Sequence, residues 1–291
     1  MNTHITGFRR TLWQWDEYLR VSRMLVRIAI ANERHALSVE KKIKFGSHPN
    51  QYVILHYHRD FIGQNKPIIF FLHGGGWGRG NPSLFRFIGH FFIGAGCPVI
   101  LGGYRHTPFH RFPSQLNDAY GGLKAGLGLA SSRGLGTDSV ILAGQSAGAQ
   151  LASLMLLDRD NLQKSGFSQK SFAGLLLISG LLNFIHCRNW KDRDMLHRYL
   201  GRRKNWDKAD PIQFIRGDER VPVLCIHGER DILVDSANSI SFVRKLNGTG
   251  EIYLAPNAYH TDLTTMFLEH TPATEVMLRW LERVGTVASN Q

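Results

Sequence analysis

The stretch Gly144-Gln145-Ser146-Ala147-Gly148 decides how this chain is interpreted. It follows Ser139-Val140-Ile141-Leu142-Ala143, which is rich in β-forming residues, and it precedes small and apolar residues at helical spacing up to Leu157. A G-x-S-x-G motif between a strand and a helix is typical of a nucleophile elbow, where a sharp turn strains the serine backbone and lifts its hydroxyl clear of a sheet. The two glycines avoid a Cβ that would collide with the neighbouring strand or helix. The motif therefore makes Ser146 the candidate nucleophile.

Apolar runs alternate with helical stretches along most of the chain. Two alternating segments, Val39–Phe45 and Gln51–Tyr57, predict early antiparallel strands. Later apolar runs predict further strands at Pro67–Leu72, Pro98–Leu101, Val140–Ala143, Ala173–Ser179, Val221–His227 and Glu251–Leu254. The stretch Ser114–Leu129 is predicted to be a helix despite its glycines, which would permit close packing on a sheet. Strands that alternate with helices predict an α/β fold with a mainly parallel sheet covered on both faces.

Two segments do not fit this alternation. Residues Phe8 to about Ala36 form a basic amphipathic pattern that predicts one helix or a broken pair, for which we favour a lid over a membrane-surface helix. Residues 183–216 hold Trp190, Trp206 and many charges between two strands, which predicts helices inserted over the strand ends, where α/β sheets bind ligands. We therefore predict an N-terminal cap helix region (1–38), a cap insertion (183–216) and a catalytic domain made of residues 39–182 and 217–291.

Composition and charge exclude several classes of protein. The 291 residues are 43% hydrophobic and 20% charged, which suits one large globular domain or a domain with a lid. The net charge of +12 comes from basic residues spread along the chain, so we predict a solvated basic surface and no nucleic-acid site. Peripheral membrane contact is a less favoured alternative. The first residues lack the apolar core of a signal peptide, and no apolar stretch reaches the roughly 18 residues of a membrane span, so we predict a cytoplasmic protein.

Neither the cysteines nor the histidines predict a metal centre. The three cysteines are far apart and show no C-x-x-C spacing, which also argues against a disulfide framework. The pair His56 and His58 and the pair His106 and His110 have suggestive spacings, but no acidic or thiol ligands accompany them. We expect no metal and no cofactor.

A serine nucleophile needs donors for the oxyanion that forms when a carbonyl is attacked. The segment His73-Gly74-Gly75-Gly76-Trp77, which we call the glycine loop, directly follows a predicted strand. Its glycines would let backbone N–H groups turn inward without steric conflict, and the N–H of Ala147 would be a second donor. A glycine-rich turn with no catalytic task is the alternative interpretation.

The serine hydroxyl also needs a base and an acid that orients the base. His260 follows the last predicted strand and precedes a helix-like stretch, whereas the alternative, His270, lies deeper in a helical segment. The acid is predicted to be Asp231, with Asp235 as the runner-up, because both follow a predicted strand. The order Ser, Asp, His is the one expected when the serine stands on a strand-to-helix elbow.

Together these motifs resemble the α/β-hydrolase superfamily and, within it, the hormone-sensitive-lipase-like (HGGG) carboxylesterases. The resemblance covers about residues 40–285 and also rests on Tyr104-Arg105, Pro108-x-x-x-x-Pro113 and Asp118-Ala119. These are similar to the family's Y-R-L-A-P-E-x-x-F-P-A-x-x-x-D-A segment. The resemblance implies an α/β-hydrolase fold, with a mostly parallel eight-stranded twisted sheet, helices on both faces and a helical cap.

The same resemblance implies a role for each site residue. Ser146 would be the nucleophile, His260 the general base and Asp231 the orienting acid. The oxyanion hole would be formed by the N–H groups of Gly75, Gly76 and Ala147. Substrate binding is assigned to Trp77, Gln145, Trp190 and Trp206. The cap helix region and the cap insertion would cover the acyl pocket.

The predicted function is a serine carboxylic-ester hydrolase that acts through an acyl-enzyme on short to medium acyl esters or other small-molecule esters. Gln145, Ala149 and Phe109 depart from the family pattern, which has Asp, Gly and an acidic residue at these places. Gly-x-Ser-Ala-Gly-Ala also occurs in formamidase-like and isoprenylcysteine methylesterase-like relatives. Arylformamidase or amidase, prenylcysteine methylesterase, and acyltransferase or cyclase activities therefore stay open. A non-catalytic binder is less favoured because the late histidine is present, and a homodimer through the edge strand Glu251–Leu254 is a further option.

Overall fold

Eight strands form one sheet in the computed structural model of this chain, which describes residues 19–32, 38–188 and 190–288. The strands are β1 (Val39–Lys44), β2 (Tyr52–Tyr57), β3 (Ile68–Leu72), β4 (Val99–Gly102), β5 (Val140–Gln145), β6 (Phe172–Ile178), β7 (Val223–Gly228) and β8 (Gly250–Ala255). They lie in the order β1-β2-β4-β3-β5-β6-β7-β8. β2 is antiparallel to both of its neighbours, and the other adjacent pairs are parallel. The predicted mostly parallel eight-stranded sheet is confirmed.

Helices cover both faces of this sheet. They are α1 (residues 19–32), α2 (Arg86–Gly94), α3 (Ser114–Ser131), α4 (Ala147–Leu157), α5 (Arg159–Lys164), α6 (Trp190–Leu200), α7 (Ala237–Lys245), α8 (His260–Thr265) and α9 (Pro272–Ala288). Successive strand residues point to opposite faces, so Phe70 joins one apolar core with α3 and α4 while Phe71 joins a second core with α2 and α9. Burial on both faces is the reason that the central strands are continuous apolar runs.

The glycine-rich helix α3 lies close to the sheet. A Cβ on Gly126 would lie 2.5 Å from Ile100 Cγ2, and one on Gly122 would lie 3.3 Å from Val53 Cγ1. The predicted helix is confirmed, and close packing on the sheet accounts for Gly122 and Gly126 but not for Gly128, where a Cβ would meet nothing within 4 Å.

The cap insertion is helical. It contains α6 and short 3₁₀ turns at Phe184–His186, Arg203–Lys208 and Pro211–Phe214. In the N-terminal amphipathic segment, residues 19–32 are helical, and the rest of the predicted Phe8–Ala36 pattern lies largely outside the described residues. Among the described helices, none is at once long enough and apolar enough to cross a membrane.

Candidate active site

Ser146 occupies the turn between β5 and α4 in a strained conformation. Its φ of 55° and ψ of −120° lie in a region that residues with a Cβ rarely adopt. A Cβ on Gly144 would lie 2.3 Å from Gly148 O, and one on Gly148 would lie 2.0 Å from Leu72 O. Both positions therefore require glycine. The Ser146 N–H donates to Ile178 O at 2.8 Å, which ties the turn to β6.

Asp231 and His260 lie side by side at the carboxyl ends of β7 and β8. His260 Nδ1 is 2.7 Å from Asp231 Oδ2, and Asp231 Oδ1 accepts the N–H groups of Leu233 and Val234 at 3.0 and 2.9 Å. Burial alone would raise the pKa of Asp231, but the nearby imidazoles of His260 and His227 hold it well below its ordinary value. A carboxylate only accepts hydrogen bonds, so His260 Nδ1 carries the proton and Nε2 keeps a lone pair.

That lone pair faces the side chain of Gln145. Gln145 Nε2 is 3.1 Å from His260 Nε2, and Gln145 Oε1 packs so closely on Gly74 that a Cβ there would lie 2.0 Å from it. Ser146 Oγ and His260 are not joined by a hydrogen bond among the residues that the structure describes. Catalytic hydrogen bonds often form only once substrate is bound. Gln145, predicted for substrate binding, is thus a buried contact of the candidate base.

The glycine loop presents backbone donors beside this site. Gly75 has a φ of 120° and Gly76 a φ of 59°, and a Cβ on Gly75 would lie 2.2 Å from Arg79 O. Within the described part of the chain, the N–H groups of Gly75, Gly76 and Ala147 have no protein acceptor. The oxyanion-hole role predicted for these three amides stays a prediction.

Tyr104 supports the start of the glycine loop, and the next residue, Arg105, pairs with Asp118. Tyr104 OH donates to His73 O at 2.8 Å, and the His73 ring stacks on Tyr104 with 4.4 Å between ring centroids. Burial lowers the pKa of His73 to about 3, so this ring is neutral and donates from Nδ1 to Gly74 O. Arg105 Nε and Asp118 Oδ2 are 2.8 Å apart. Tyr104 thus fixes the backbone of His73, at the start of the loop that carries the amides.

The cap insertion packs directly on the glycine loop. The Trp77 ring is fully buried and stacks on Tyr199 of α6, with 4.0 Å between centroids and an interplanar angle of 5°. Trp77 Nε1 donates to Gln150 Oε1 at 3.0 Å. A Cβ on Gly76 would lie 2.9 Å from Met195 Sδ. Trp77, predicted for substrate binding, therefore joins the loop to the insertion and has no open face.

The other two tryptophans predicted for substrate binding lie elsewhere. Trp190 is 64% exposed. Trp206 is buried, and the Arg203 guanidinium stands 5.1 Å from its ring centroid. Trp206 lines a cleft of about 590 Å³ in the cap insertion, and none of the three predicted triad residues borders that cleft.

The structure distinguishes the preferred acid and base from the alternatives, Asp235 and His270. Asp235 is exposed and accepts the Ala237 N–H at 2.9 Å. His270 is exposed and lies 2.9 Å from Glu275. Asp231 is thus the carboxylate that meets His260.

Two further contacts at the site escaped prediction. The Arg20 guanidinium of α1 stands 3.9 Å from the ring centroid of Tyr259, the residue before His260. His227 Nε2 lies 3.3 Å from Asp231 Oδ2. The amphipathic pattern of α1 predicted a lid, and His227 ends a predicted strand, but neither pattern specifies a side-chain partner.

The cysteines take no part in this arrangement. All three are free and buried, and burial raises the pKa of the Cys97 thiol to about 11. Across residues 19–32, 38–188 and 190–288, histidine, cysteine and acidic side chains form no group of three suited to hold a metal ion.

Known proteins share the sequence pattern and the fold. A family model described as BD-FAE matches residues 57–246. Esterase LipC from Mycobacterium tuberculosis is 25% identical over 231 residues, which cover 73% of this chain and 56% of that protein. Isoprenylcysteine alpha-carbonyl methylesterase ICME from Arabidopsis thaliana is 24% identical over 245 residues, which cover 77% of this chain and 57% of that protein. The chain therefore spans less than two thirds of the length of these curated relatives.

Solved structures confirm the architecture. An inhibited form of Esterase B from Lactobacillus rhamnosis gives a TM-score of 0.78 at 20% identity, covering 97% of this chain and 98% of that one. The hyperthermophilic esterase from Pyrobaculum calidifontis gives 0.71 at 20% identity, covering 98% of each chain. At this level of identity the likeness establishes the α/β-hydrolase fold.

Proposed function

This chain belongs to the BD-FAE family, and from that premise we propose that it is a serine carboxylic-ester hydrolase. One observation carries the proposal: Asp231 Oδ2 holds His260 Nδ1 at 2.7 Å, while His260 Nε2 faces Gln145, the residue before Ser146. Acid, base and nucleophile thus come from the carboxyl ends of separate strands, where open α/β sheets bind ligands. The esterases among the similar proteins support the same conclusion.

In the proposed reaction, Ser146 Oγ attacks the ester carbonyl carbon and its proton passes to His260 Nε2. The tetrahedral intermediate collapses when the bond to the alcohol oxygen breaks, and His260 returns the proton to that oxygen. The acyl group is then bonded to Ser146. A water molecule gives a proton to the same nitrogen and attacks the acyl carbon. The bond between that carbon and Ser146 Oγ then breaks, His260 returns the proton to Oγ, and the acid is released.

The groups around Ser146 and His260 stabilise charge and hold the base in position. Asp231 holds the tautomer of His260 and stabilises the imidazolium without taking a proton. The N–H groups of Gly75, Gly76 and Ala147 form the proposed oxyanion hole, where preorganised donors stabilise the developing charge. Gln145 releases His260 Nε2 to the serine hydroxyl as the reaction begins.

We propose that residues 1–38 and 183–216 form a cap over a catalytic domain made of residues 39–182 and 217–291. The closeness of Met195 to Gly76 and the stack of Trp77 on Tyr199 support this role for the insertion. The stack of Arg20 on Tyr259 supports a role for α1 beside the base. These contacts would form the sides of an acyl pocket and would exclude water from it.

Small-molecule esters are the proposed substrates, and methyl esters of prenylated cysteine are a second candidate. The similarity to the Arabidopsis methylesterase and the sequence Gly144-Gln145-Ser146-Ala147-Gly148-Ala149 favour this candidate. Amide or formamide hydrolysis and acyl transfer use the same acyl-enzyme and stay as alternatives. A cytoplasmic location, peripheral membrane contact and a dimer through β8 also stay predictions from the sequence.

The test compares the wild type with Ser146→Ala on p-nitrophenyl esters of increasing acyl length and on S-farnesylcysteine methyl ester. We expect the substitution to lower kcat by roughly 10⁴-fold or more and to abolish labelling by a fluorophosphonate probe. Ser153→Ala, a buried serine of α4, is the matched control and should retain activity. Full activity of Ser146→Ala would contradict the proposal, and a folded wild type that resists the probe would favour a non-catalytic binder.

A further inference from the structure

A second imidazole stands behind the acid of the proposed triad. His227 is in β7, four residues before Asp231, and its side chain is fully buried. Its Nε2 lies 2.9 Å from Val234 O and 3.3 Å from Asp231 Oδ2, and its Nδ1 lies 2.7 Å from Ser239 Oγ. The proposed mechanism assigns no role to this ring.

The partners of His227 determine where its proton sits. A carbonyl oxygen and a carboxylate oxygen only accept hydrogen bonds, so Nε2 must carry a hydrogen. The hydroxyl of Ser239, which is also fully buried, can donate to Nδ1. This leaves a neutral ring with both nitrogens satisfied. A doubly protonated ring would instead be a buried cation in the site.

His227 thereby holds the loop that carries Asp231. The Val234 carbonyl is bound by His227, and the Val234 N–H donates to Asp231 Oδ1 at 2.9 Å. The same nitrogen lies 3.3 Å from Asp231 Oδ2, the oxygen that receives His260, while its hydrogen bond goes to the Val234 carbonyl. Ser239 belongs to the first turn of α7. His227 therefore connects β7, in which it lies, to α7, on the other side of the loop that carries Asp231.

We propose that His227 is a positioning residue for this reaction: its Nε2–H fixes the Asp231 carboxylate toward His260, and Ser239 fixes the tautomer that makes this possible. The inference rests on the proposed function, because it assigns Asp231 the orienting role. A misplacement of about 1 Å in such a group can lower a rate by 10²-fold.

Two variants of His227 distinguish the effect of the hydrogen-bond donor at Nε2 from the effect of losing the ring. In His227→Gln the side-chain amide reaches the place of Nε2, whereas in His227→Asn it reaches only the place of Nδ1. We expect His227→Asn to lower kcat on the order of 10²-fold with little change in KM. His227→Gln should stay within about fivefold of the wild type. Equal activity of the two variants, whether both are high or both are low, would overturn the proposal.

The wild type provides a measurement that needs no variant to fold. In protein labelled with ¹⁵N-histidine, with His227 assigned through its backbone resonances, we expect a protonated Nε2 and an unprotonated Nδ1. A proton on Nδ1, alone or with one on Nε2, would overturn the proposal. If the wild type shows this tautomer but has no Ser146-dependent hydrolysis, the proposed function fails while the hydrogen-bond assignment stands.

Discussion

The side-chain amide of Gln145 lies 3.1 Å from Nε2 of His260, on the opposite edge of the ring from Asp231. Both nitrogens of the proposed base therefore have partners, and neither partner is the hydroxyl that the base has to deprotonate. The same amide packs against Gly74, where a Cβ would lie 2.0 Å from Gln145 Oε1. Gln145 thus connects the glycine loop to the base.

We expect Gln145→Met to speed the labelling of Ser146 by a small fluorophosphonate. Methionine keeps the volume of the side chain but cannot donate to His260 Nε2, so the serine hydroxyl no longer competes for that atom. A hydrogen bond with a net value of about 1 kcal/mol corresponds to roughly fivefold in the rate constant. The measurement is the second-order rate constant of labelling. Slower labelling would show that the amide assists the base.

Gly74→Ala should impair the site through Gln145. The new Cβ would meet Gln145 Oε1 at 2.0 Å, so the amide has to leave its place between the loop and His260. Adding Gln145→Ala removes Oε1 and Cδ but leaves the Gln145 backbone oxygen at 3.1 Å, so we expect the double variant to recover part of the lost kcat and thermal stability. Gly75→Ala is the control, because its Cβ would collide with Arg79 O and Gln145→Ala cannot relieve that. Equal rescue of both variants would contradict this account.

Replacing the acid should separate Asp231 from its runner-up. Asp231→Asn presents an amide to His260 and favours the wrong tautomer, so we expect kcat to fall by roughly 10³- to 10⁴-fold with a small change in KM. Asp235→Asn alters an exposed side chain whose carboxylate accepts the Ala237 N–H, and it should stay within about threefold of the wild type. The measurement is kcat and KM of both variants on one ester. A larger loss of kcat in Asp235→Asn than in Asp231→Asn would make Asp235 the orienting acid.

The buried carboxyl of Asp210 should make stability depend on pH. Burial raises the pKa of Asp210 from 3.8 to about 6, while its carboxylate accepts the Phe184 N–H at 3.1 Å. The folded state holds this proton more tightly than the unfolded chain, so the contribution to stability is complete below about pH 4 and is lost as pH rises through 6. Asn keeps the acceptor but cannot ionise. The unfolding free energy of Asp210→Asn relative to the wild type should therefore rise by up to about 3 kcal/mol from pH 4 to 7.

Urea unfolding at several pH values across that window tests this expectation. The matched control is Asp138→Asn, which removes an exposed carboxyl from the loop before β5. A pH trend confined to Asp210→Asn is the expected outcome. The same trend in both variants would mean that the overall charge of the chain causes it.

The sheet and its elbow could be predicted because local sequence determines them. Strands buried on both faces must be apolar along their whole length, and Gly144 and Gly148 stand where the backbone leaves no room for a Cβ. The segment that carries Tyr104 was identified by resemblance, and its contacts with His73 now give it a physical reason.

Side-chain partners across the sheet could not be predicted in this way. Whether Gln145 faces a substrate or the base depends on the rotamer that Gly74 permits, and the two residues are far apart in sequence. The buried ring of Trp77 and the distant cleft at Trp206 depend on how the cap insertion folds back over the loop. Periodicity carries no information on such contacts, because it describes one element at a time.

The order of the segments along the chain has a consequence during translation. Ser146 follows β5, whereas Asp231 and His260 follow β7 and β8, the last strands of the sheet to leave the ribosome. On the proposed mechanism, a nascent polypeptide that has emerged only as far as β6 carries the nucleophile without the groups that activate it. Hydrolytic competence on that mechanism therefore arises only after β7 and β8 have emerged and docked onto the sheet.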